Sequence, residues 1–302
     1  MNDYFFPVLF LVPEFETPSI VKGNLCLAKR RWETSIFDLA TLATRHKLHL
    51  PYQVMDVFLS KCNAEVCVKQ QASLEDAVAH LRSLKLALYG VGVSPFVTPF
   101  VTSHSINAYS GINSRDSDSL RSKLPVGMQE GITSDTASVE AWPLDLSFQC
   151  VVLPDSLQVS SELFSNACDN AFAWSSMIAS HDTLRGFSDA ALSTVMMSSL
   201  SQSILHMWCA IESLFPGVGA ELSFRVSLYL AQLVSEGAGR RAYFDKVKKG
   251  YNTRSRIAHG AKNEATIDEW KAAWEIVTDT FNALVRRGLL SSEEALLEDL
   301  MS

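Results

Sequence analysis

No stretch of this sequence is both long and apolar enough to cross a bilayer, which takes about 18 or more consecutive apolar residues. A membrane partner is therefore not expected. The nearest approach is the N-terminal run YFFPVLFLVP, which holds a proline and follows Asp3 rather than a basic segment. With no small-residue cleavage site after it, this run is expected to be a buried strand rather than a signal peptide. Cysteine is sparse and scattered, at Cys26, Cys62, Cys67, Cys150, Cys168 and Cys209. Six in 302 residues do not make a disulfide scaffold. Cys62 and Cys67 have no second Cys or His pair nearby to complete a zinc site. Reduced, mostly buried thiols in a cytoplasmic protein are the expectation. Internal repeats are also lacking. Excess positive charge is missing too: the chain carries a net −7, which argues against a surface that binds nucleic acid everywhere.

The positive charge that is present is concentrated. Between Arg240 and Lys262 stand eight basic residues (Arg240, Arg241, Lys246, Lys248, Lys249, Arg254, Arg256, Lys262) and one acid, Asp245. That is +7 in 23 residues, so the rest of the chain carries −14. At 302 residues there is room for about two domains. The pattern predicts a mixed α+β domain over 1–155 and a helical domain over 156–302.

In the first part, YFFPVLFLV and Ala64–Gln70 read as strands. Ser73 with Asp76 three residues on opens a helix that repeats Leu74, Val78, Leu81, Leu84 (or Lys85) and Leu88 and closes at Gly90. VGVSPFVTPFVT is β-like with prolines at edges or bends. From about 104 to 140 the chain turns rich in Ser, Asp, Gly and Asn, which predicts a long flexible loop. The strand pattern resumes over WPLDLSFQCVVLP, up to Pro154.

The second part reads as a bundle of four or five helices. One runs to about Ser180, HDTLRG reads as a turn, and a long helix starts near Ser188. Its apolar stripe is Met196, Leu200, Ile204, Trp208, Ile211 and Phe215. A helix over about 220–236 turns Leu222, Val226, Leu230 and Leu233 inward. Thr266 and Glu269 form a capping box ahead of a helix ending at Gly288, with Trp270 and Trp274 expected in the core. Ser291 and Glu294 are expected to cap a final short helix.

Inside the basic window, Arg254 precedes His259 by five positions. With 14 arginines and 7 histidines, chance supplies about one such pair, so the spacing alone says little. The flanking pattern says more. MWCAIESLFPG, then RVSLYLAQLV, then FDKVKKGYNTRSRIAHG resembles the HEPN superfamily, in particular Apea-like HEPN domains. The matching residues are Trp208, Ala210, Ile211, Glu212, Leu214, Tyr251, Arg254, Ser255, Ile257, His259 and Gly260. The resemblance covers about 188–290 and leaves the first 150 residues unexplained.

It implies an all-α HEPN-like bundle after the α+β domain, and a ribonuclease of the R-x4-6-H type. Such domains commonly dimerise to form one cleft and cleave RNA without a metal or other cofactor. A role in bacterial defence or as a toxin-like effector is implied by the same analogy, with an antitoxin or defence-system protein as partner.

The residue chemistry fits independently. Attack by a ribose 2′-OH on the neighbouring phosphate needs an acid, a base and positive charge at phosphorus. A histidine titrating near neutrality serves as base or acid, and an arginine clamps the non-bridging oxygens. Arg254 and His259 are the candidate catalytic pair, with Glu212 and Ser255 supporting. Lys248, Lys249, Tyr251 and Arg256 are candidate RNA-binding residues. No acidic cluster or Cys/His set nearby is read as a metal site. Glu212 reads equally as a structural acid, Tyr251 equally as a packing residue, and Arg256 rivals Arg254 for the phosphate. Five residues at about 100° each put Arg254 and His259 about 140° apart on an ideal helix. Either Arg254 precedes the helix, or a second protomer completes the site.

Overall fold

The computed structural model describes residues 1–47, 52–97, 100–141, 157–261 and 264–301. The strand expected over 142–154, Cys150 and Lys262 lie outside the described residues. The architecture is an N-terminal antiparallel sheet region with helices, followed by a helical C-terminal half. The chain divides into two compact units. One is built from Met1–Leu81, Val93–Leu146 and Leu153–Cys168, the other chiefly from Arg82–Gly92 and Asp169–Ser302.

In the sheet unit the strands are β1 (Asn2–Leu9), β2 (Val12–Glu14), β3 (Ser19–Lys22), β4 (Leu25–Lys29), β5 (Cys62–Gln71), β6 (Phe96–Val97), β7 (Phe100–Thr102), β8 (Val139–Ala141) and β9 (Gln158–Ser160). Seven of them form one sheet in the order β3-β4-β5-β1-β7-β8, with β6 also pairing β1, while β2 and β9 pair in parallel. The expected strands at the N-terminus and at Ala64–Gln70 are its centre. They pair antiparallel, Phe6 opposite Val66 and Val8 opposite Ala64, and these four side chains are fully or almost fully buried. Apolar β-branched and aromatic residues suit a strand enclosed on both faces. The exception is Glu65, only 1% exposed. Its carboxylate accepts from the Ile106 backbone N–H at 2.8 Å and from Arg30 Nε at 3.2 Å. Burial nevertheless holds its pKa above the usual carboxylate range.

Between strands lie α1 (Ile36–Arg45), α2 (Tyr52–Leu59), α3 (Leu74–Gly90) and the short α4 (Ile112–Arg115), α5 (Asp118–Arg121) and α6 (Val126–Gln129). Ser73 and Asp76 cap α3 as the sequence predicts, with the Asp76 backbone N–H donating to Ser73 Oγ. The 104–140 segment differs from the flexible loop expected of its composition. It is threaded with helical turns and pinned by buried groups. Asp38, 4% exposed, accepts from the backbone N–H groups of Gly111 and Asn113, both at 3.1 Å. Arg115, 7% exposed, donates to the carbonyls of Ile132 and Ala108. Tyr109, Ile112, Ile132 and Ala137 pack with Leu42 into a small core of their own. Composition registers the polar residues; the two long-range clamps that order them are invisible to it.

The helical half is α7 (Ser161–Ile178), α8 (Asp182–Thr194), α9 (Leu200–Glu212), α10 (Leu222–Val234), α11 (Gly239–Ala258), α12 (Ile267–Arg287) and α13 (Glu293–Met301). Among the described residues seven helices replace the four or five expected, because the basic segment is itself a helix, α11, and one expected helix is two. HDTLRG is not a turn but the start of α8. The single long helix from Ser188 is broken, because Ser199 caps a new start by accepting from the Gln202 backbone N–H. Ile204, Trp208, Ile211 and Phe215 are buried as expected, whereas Met196 and Leu200 are only partly so. The Thr266/Glu269 capping box is present, and Gly288 closes α12 at φ +68°. The first turn of α13 is capped by Ser292 rather than Ser291.

Tryptophans organise this core. Trp174, Trp208 and Trp270 are buried, Trp174 lying edge-on to Phe281 at 5.0 Å and Trp270 stacked on Trp274 at 5.5 Å. Trp270 Nε1 donates to Ser203 Oγ at 2.6 Å, and Ser203 donates to the Thr194 carbonyl at 2.9 Å. This chain ties α12 to the end of α8 across α9. Gly90 is required by a close approach: a Cβ there would stand 2.6 Å from Asn282 Oδ1 and 2.8 Å from Phe281. Among the described residues no helix is long and apolar enough to cross a membrane. Five described cysteines are free, and only Cys209 is exposed. Burial pushes the Cys62 thiol up to about 11 and the Cys67 thiol to about 12.

Candidate active site

The candidate site is built on α11, whose buried stripe is Tyr243, Val247 and Tyr251 at steps of four. Gly250 lets α11 lie close to α9 and α12. A Cβ there would meet Trp208 at 3.0 Å and Ile276 at 3.1 Å. Trp208 in turn packs edge-on to the Tyr251 ring at 5.2 Å. These contacts place the last turns of α11 against the C-terminal end of α9, where Glu212 is the final residue.

Arg254 and Glu212 meet there. Arg254 Nη2 lies 3.2 Å from each carboxylate oxygen, and only Oε2 accepts a well-aligned hydrogen bond. The side chains are 23% and 20% exposed. The guanidinium also stands 5.5 Å over the Tyr251 ring, and its buried Nε has no hydrogen-bond partner. Burial, and next the Glu212 carboxylate, raise the Tyr251 hydroxyl pKa above its ordinary value. Arg254 is thus a half-buried cation with a partly used donor fork.

His259 is the C-cap of α11; its backbone N–H donates to the Ser255 carbonyl at 3.0 Å. Gly260 at φ +69° then ends the helix in the left-handed conformation. His259 is exposed, Ser255 half-buried, and Lys248, Lys249 and Arg256 exposed. Arg254 lies within the helix rather than before it, which removes one of the two ways of bringing it to His259. The other remains: with both residues at the end of α11 they diverge by about 140° around its axis. Tyr251 sits mid-helix, 8% exposed and enclosed by Trp208, so its ring is a packing residue and not a free stacking surface.

The basic window is less positive in space than in sequence. Lys246 reaches Asp279 at 3.0 Å and Glu275 at 3.3 Å on α12, and Tyr243 donates to Asp279 at 3.1 Å. Arg241 pairs with Asp245, and Arg254 with Glu212. Arg240, Lys248, Lys249 and Arg256 are left without an acidic partner among the described residues. Apart from Asp245, the carboxylates responsible lie on α9 and α12, from 29 residues (Glu275) to 42 residues (Glu212) away from their partners. No local count of charge could find them. No group of three or more His, Cys, Asp or Glu side chains suited to a metal occurs among the described residues.

Against known proteins, no family model, no curated protein and no solved structure matches this chain.

Proposed function

We propose that this chain is a metal-independent endoribonuclease whose helical half supplies Arg254 and His259. The observation that supports it best is the end of α11. A half-buried arginine is held there by Glu212 and Tyr251, and the same helix ends in an exposed histidine. The resemblance of the surrounding sequence to Apea-like HEPN domains supplies the reaction class.

In this reading His259 takes the proton from a ribose 2′-OH as O2′ bonds to phosphorus, or protonates the departing 5′-oxygen as the P–O5′ bond breaks. The products are a 2′,3′-cyclic phosphate and a 5′-hydroxyl. Arg254 stabilises charge on the non-bridging oxygens, and Glu212 orients it. Lys248, Lys249 and Arg256 hold the RNA backbone electrostatically. Because Arg254 and His259 diverge on one helix, the working site is shared by two copies in a homodimer.

The test is incubation of the purified protein with RNA in excess chelator. Cut ends bearing 2′,3′-cyclic phosphate are expected, along with resistance of substrates carrying 2′-deoxyribose at the cut. The His259→Ala variant should lose about 100-fold or more of the rate. Intact RNA, or an equally active His259→Ala protein, overturns the reading.

A second reading is a non-catalytic module that binds RNA, a nucleotide or a partner protein. The ion pair that already occupies Arg254 within the chain favours it. It predicts salt-sensitive binding without cleavage. A part in defence or toxin action, with an antitoxin-like partner, belongs to the first reading by analogy.

A further inference from the structure

A groove opens between α10 and α11, on a different face of α11 from Arg254. Arg241, Phe244 and Lys248 follow one another at three and four residues, a single stripe, and Lys248 lies about 120° around the axis from Arg254. With Phe224, Gln232 and Arg240 they line a cavity of about 470 Å³, within the size range of small-molecule sites.

Three features occupy different parts of it. Phe224 and Phe244 meet edge to face at 5.7 Å, and Phe224 is 49% exposed, so its ring is open to a ligand. Arg240, Arg241 and Lys248 supply positive charge. Among the described residues the Arg240 side chain hydrogen-bonds the Ser235 carbonyl alone, at 3.3 Å. The Arg241–Asp245 pair is 82% and 55% exposed, so water screens it and the guanidinium is readily given up. Lys248 Nζ stands 5.7 Å over the Phe244 ring.

The third feature is Gln232, only 2% exposed, whose Oε1 is buried without a hydrogen-bond partner. A buried amide oxygen left unpaired costs stability. The natural complement is an N–H donor brought in by a ligand.

We propose that this groove binds one nucleotide. The base packs on Phe224 and Phe244 and donates an N–H to Gln232 Oε1. The phosphate is held by Arg240, Arg241 and Lys248. A planar ring with N–H donors, joined to a phosphate, meets all three features. An acidic aliphatic chain would leave the rings and the amide unmatched. The nucleotide is either a free mononucleotide or one unit of a single-stranded RNA, and the inference does not depend on cleavage.

The experiment is calorimetric titration of the full-length His259→Ala protein, which preserves RNA. The probes are the four nucleoside 5′-monophosphates, inorganic phosphate and a short single-stranded RNA. At least one nucleotide is expected to bind about tenfold or more tighter than inorganic phosphate. Lys248→Glu, at an exposed position, should weaken that binding about tenfold through charge reversal. Gln232→Leu should weaken base-bearing ligands while leaving inorganic phosphate unchanged. An RNA that binds far tighter than the mononucleotides and is weakened by Gln232→Leu as well as by Lys248→Glu identifies the occupant as part of a strand; equal binding identifies a free nucleotide. Nucleotides that bind no better than inorganic phosphate overturn the inference. So does a Lys248→Glu protein that binds them like its parent. Nucleotide binding by the His259→Ala protein, together with a wild-type protein that cuts no RNA, would sink the ribonuclease reading and leave this one standing.

Discussion

Two inactive variants should restore each other if the ribonuclease site is shared between copies. Arg254 and His259 are five residues apart, about 7.5 Å along the axis of α11 and about 140° around it. Arg254 is turned toward Glu212 on α9, and His259 is exposed at the helix end. On one protomer the two side chains thus leave the helix on different faces. In a two-fold dimer each of two equivalent sites would take Arg254 from one copy and His259 from the other. Suppose Arg254→Ala and His259→Ala chains carry different tags, are co-expressed, and the mixed dimer is isolated on both tags. One of its sites then contains both substitutions and the other contains neither. Initial rates on a fluorescent RNA should reach about one half of the wild-type dimer, from two parents each reduced about 100-fold or more. A mixed dimer as inactive as its parents refutes the shared site. A wild-type protein that sediments as a monomer while cutting RNA refutes it equally.

Other expectations concern the fold and the positioning of Arg254. At 3.2 Å and an effective dielectric of about 20, the Arg254–Glu212 attraction is roughly 5 kcal/mol before desolvation. Desolvation cancels most of it, and a double-mutant cycle in urea should give a coupling of about 1–2 kcal/mol; a value near zero would show that the pair is incidental. Glu212→Gln, which keeps a hydrogen-bond acceptor, should retain more RNA cleavage than Glu212→Ala if Glu212 orients Arg254. Ser203→Ala strips the Trp270 Nε1 donor of its partner in the core and leaves the Thr194 carbonyl with the Met197 backbone N–H alone. It should cost about 1–3 kcal/mol by chemical denaturation. Gly250→Ala sets about 1 kcal/mol of gained helix propensity against contacts at 3.0 and 3.1 Å with Trp208 and Ile276. Overpacking should win and leave the variant less stable by about 1–2 kcal/mol.

Glu65 makes a pH prediction. Its pKa is raised in the folded state, so the native protein binds its proton more tightly than the unfolded chain. Its contribution to stability therefore falls as pH rises from the ordinary carboxylate range through the folded pKa. Relative to Glu65→Gln, the wild type should be more stable in mild acid than at neutrality; a constant difference across that range would show that Glu65 titrates normally.

What the sequence reveals here follows the range of the interaction that sets each feature. The Thr266/Glu269 cap, the β1 and β5 strands and the Trp270/Trp274 face of α12 are governed by neighbours within a few residues, and all were legible. The break before Leu200 was not, because a serine cap outweighed an apolar stripe that continues in sequence across it. The ordering of 104–140 was hidden for a different reason. Asp38 and Arg115 hold it by hydrogen bonds that reach across as many as 75 residues.

The basic window shows the same limit at the candidate site. Summed along the chain it is +7, yet Asp279 and Glu275 neutralise Lys246, and Glu212 neutralises Arg254. Among the basic residues that are paired with acids on other helices, Lys246 and Arg254 differ in kind. Lys246 is bound into the bundle by two acids on α12, with Tyr243 sharing one of them, and is structural. Arg254 has a single acid, so its guanidinium is positioned in advance without being fully engaged, as the phosphate-binding role proposed for it needs. On that ground the proposed ribonuclease reading assigns the phosphate to Arg254 rather than to the exposed Arg256. A freely rotating surface arginine must be ordered when the substrate arrives, whereas Arg254 is already ordered by Glu212 and the Tyr251 ring.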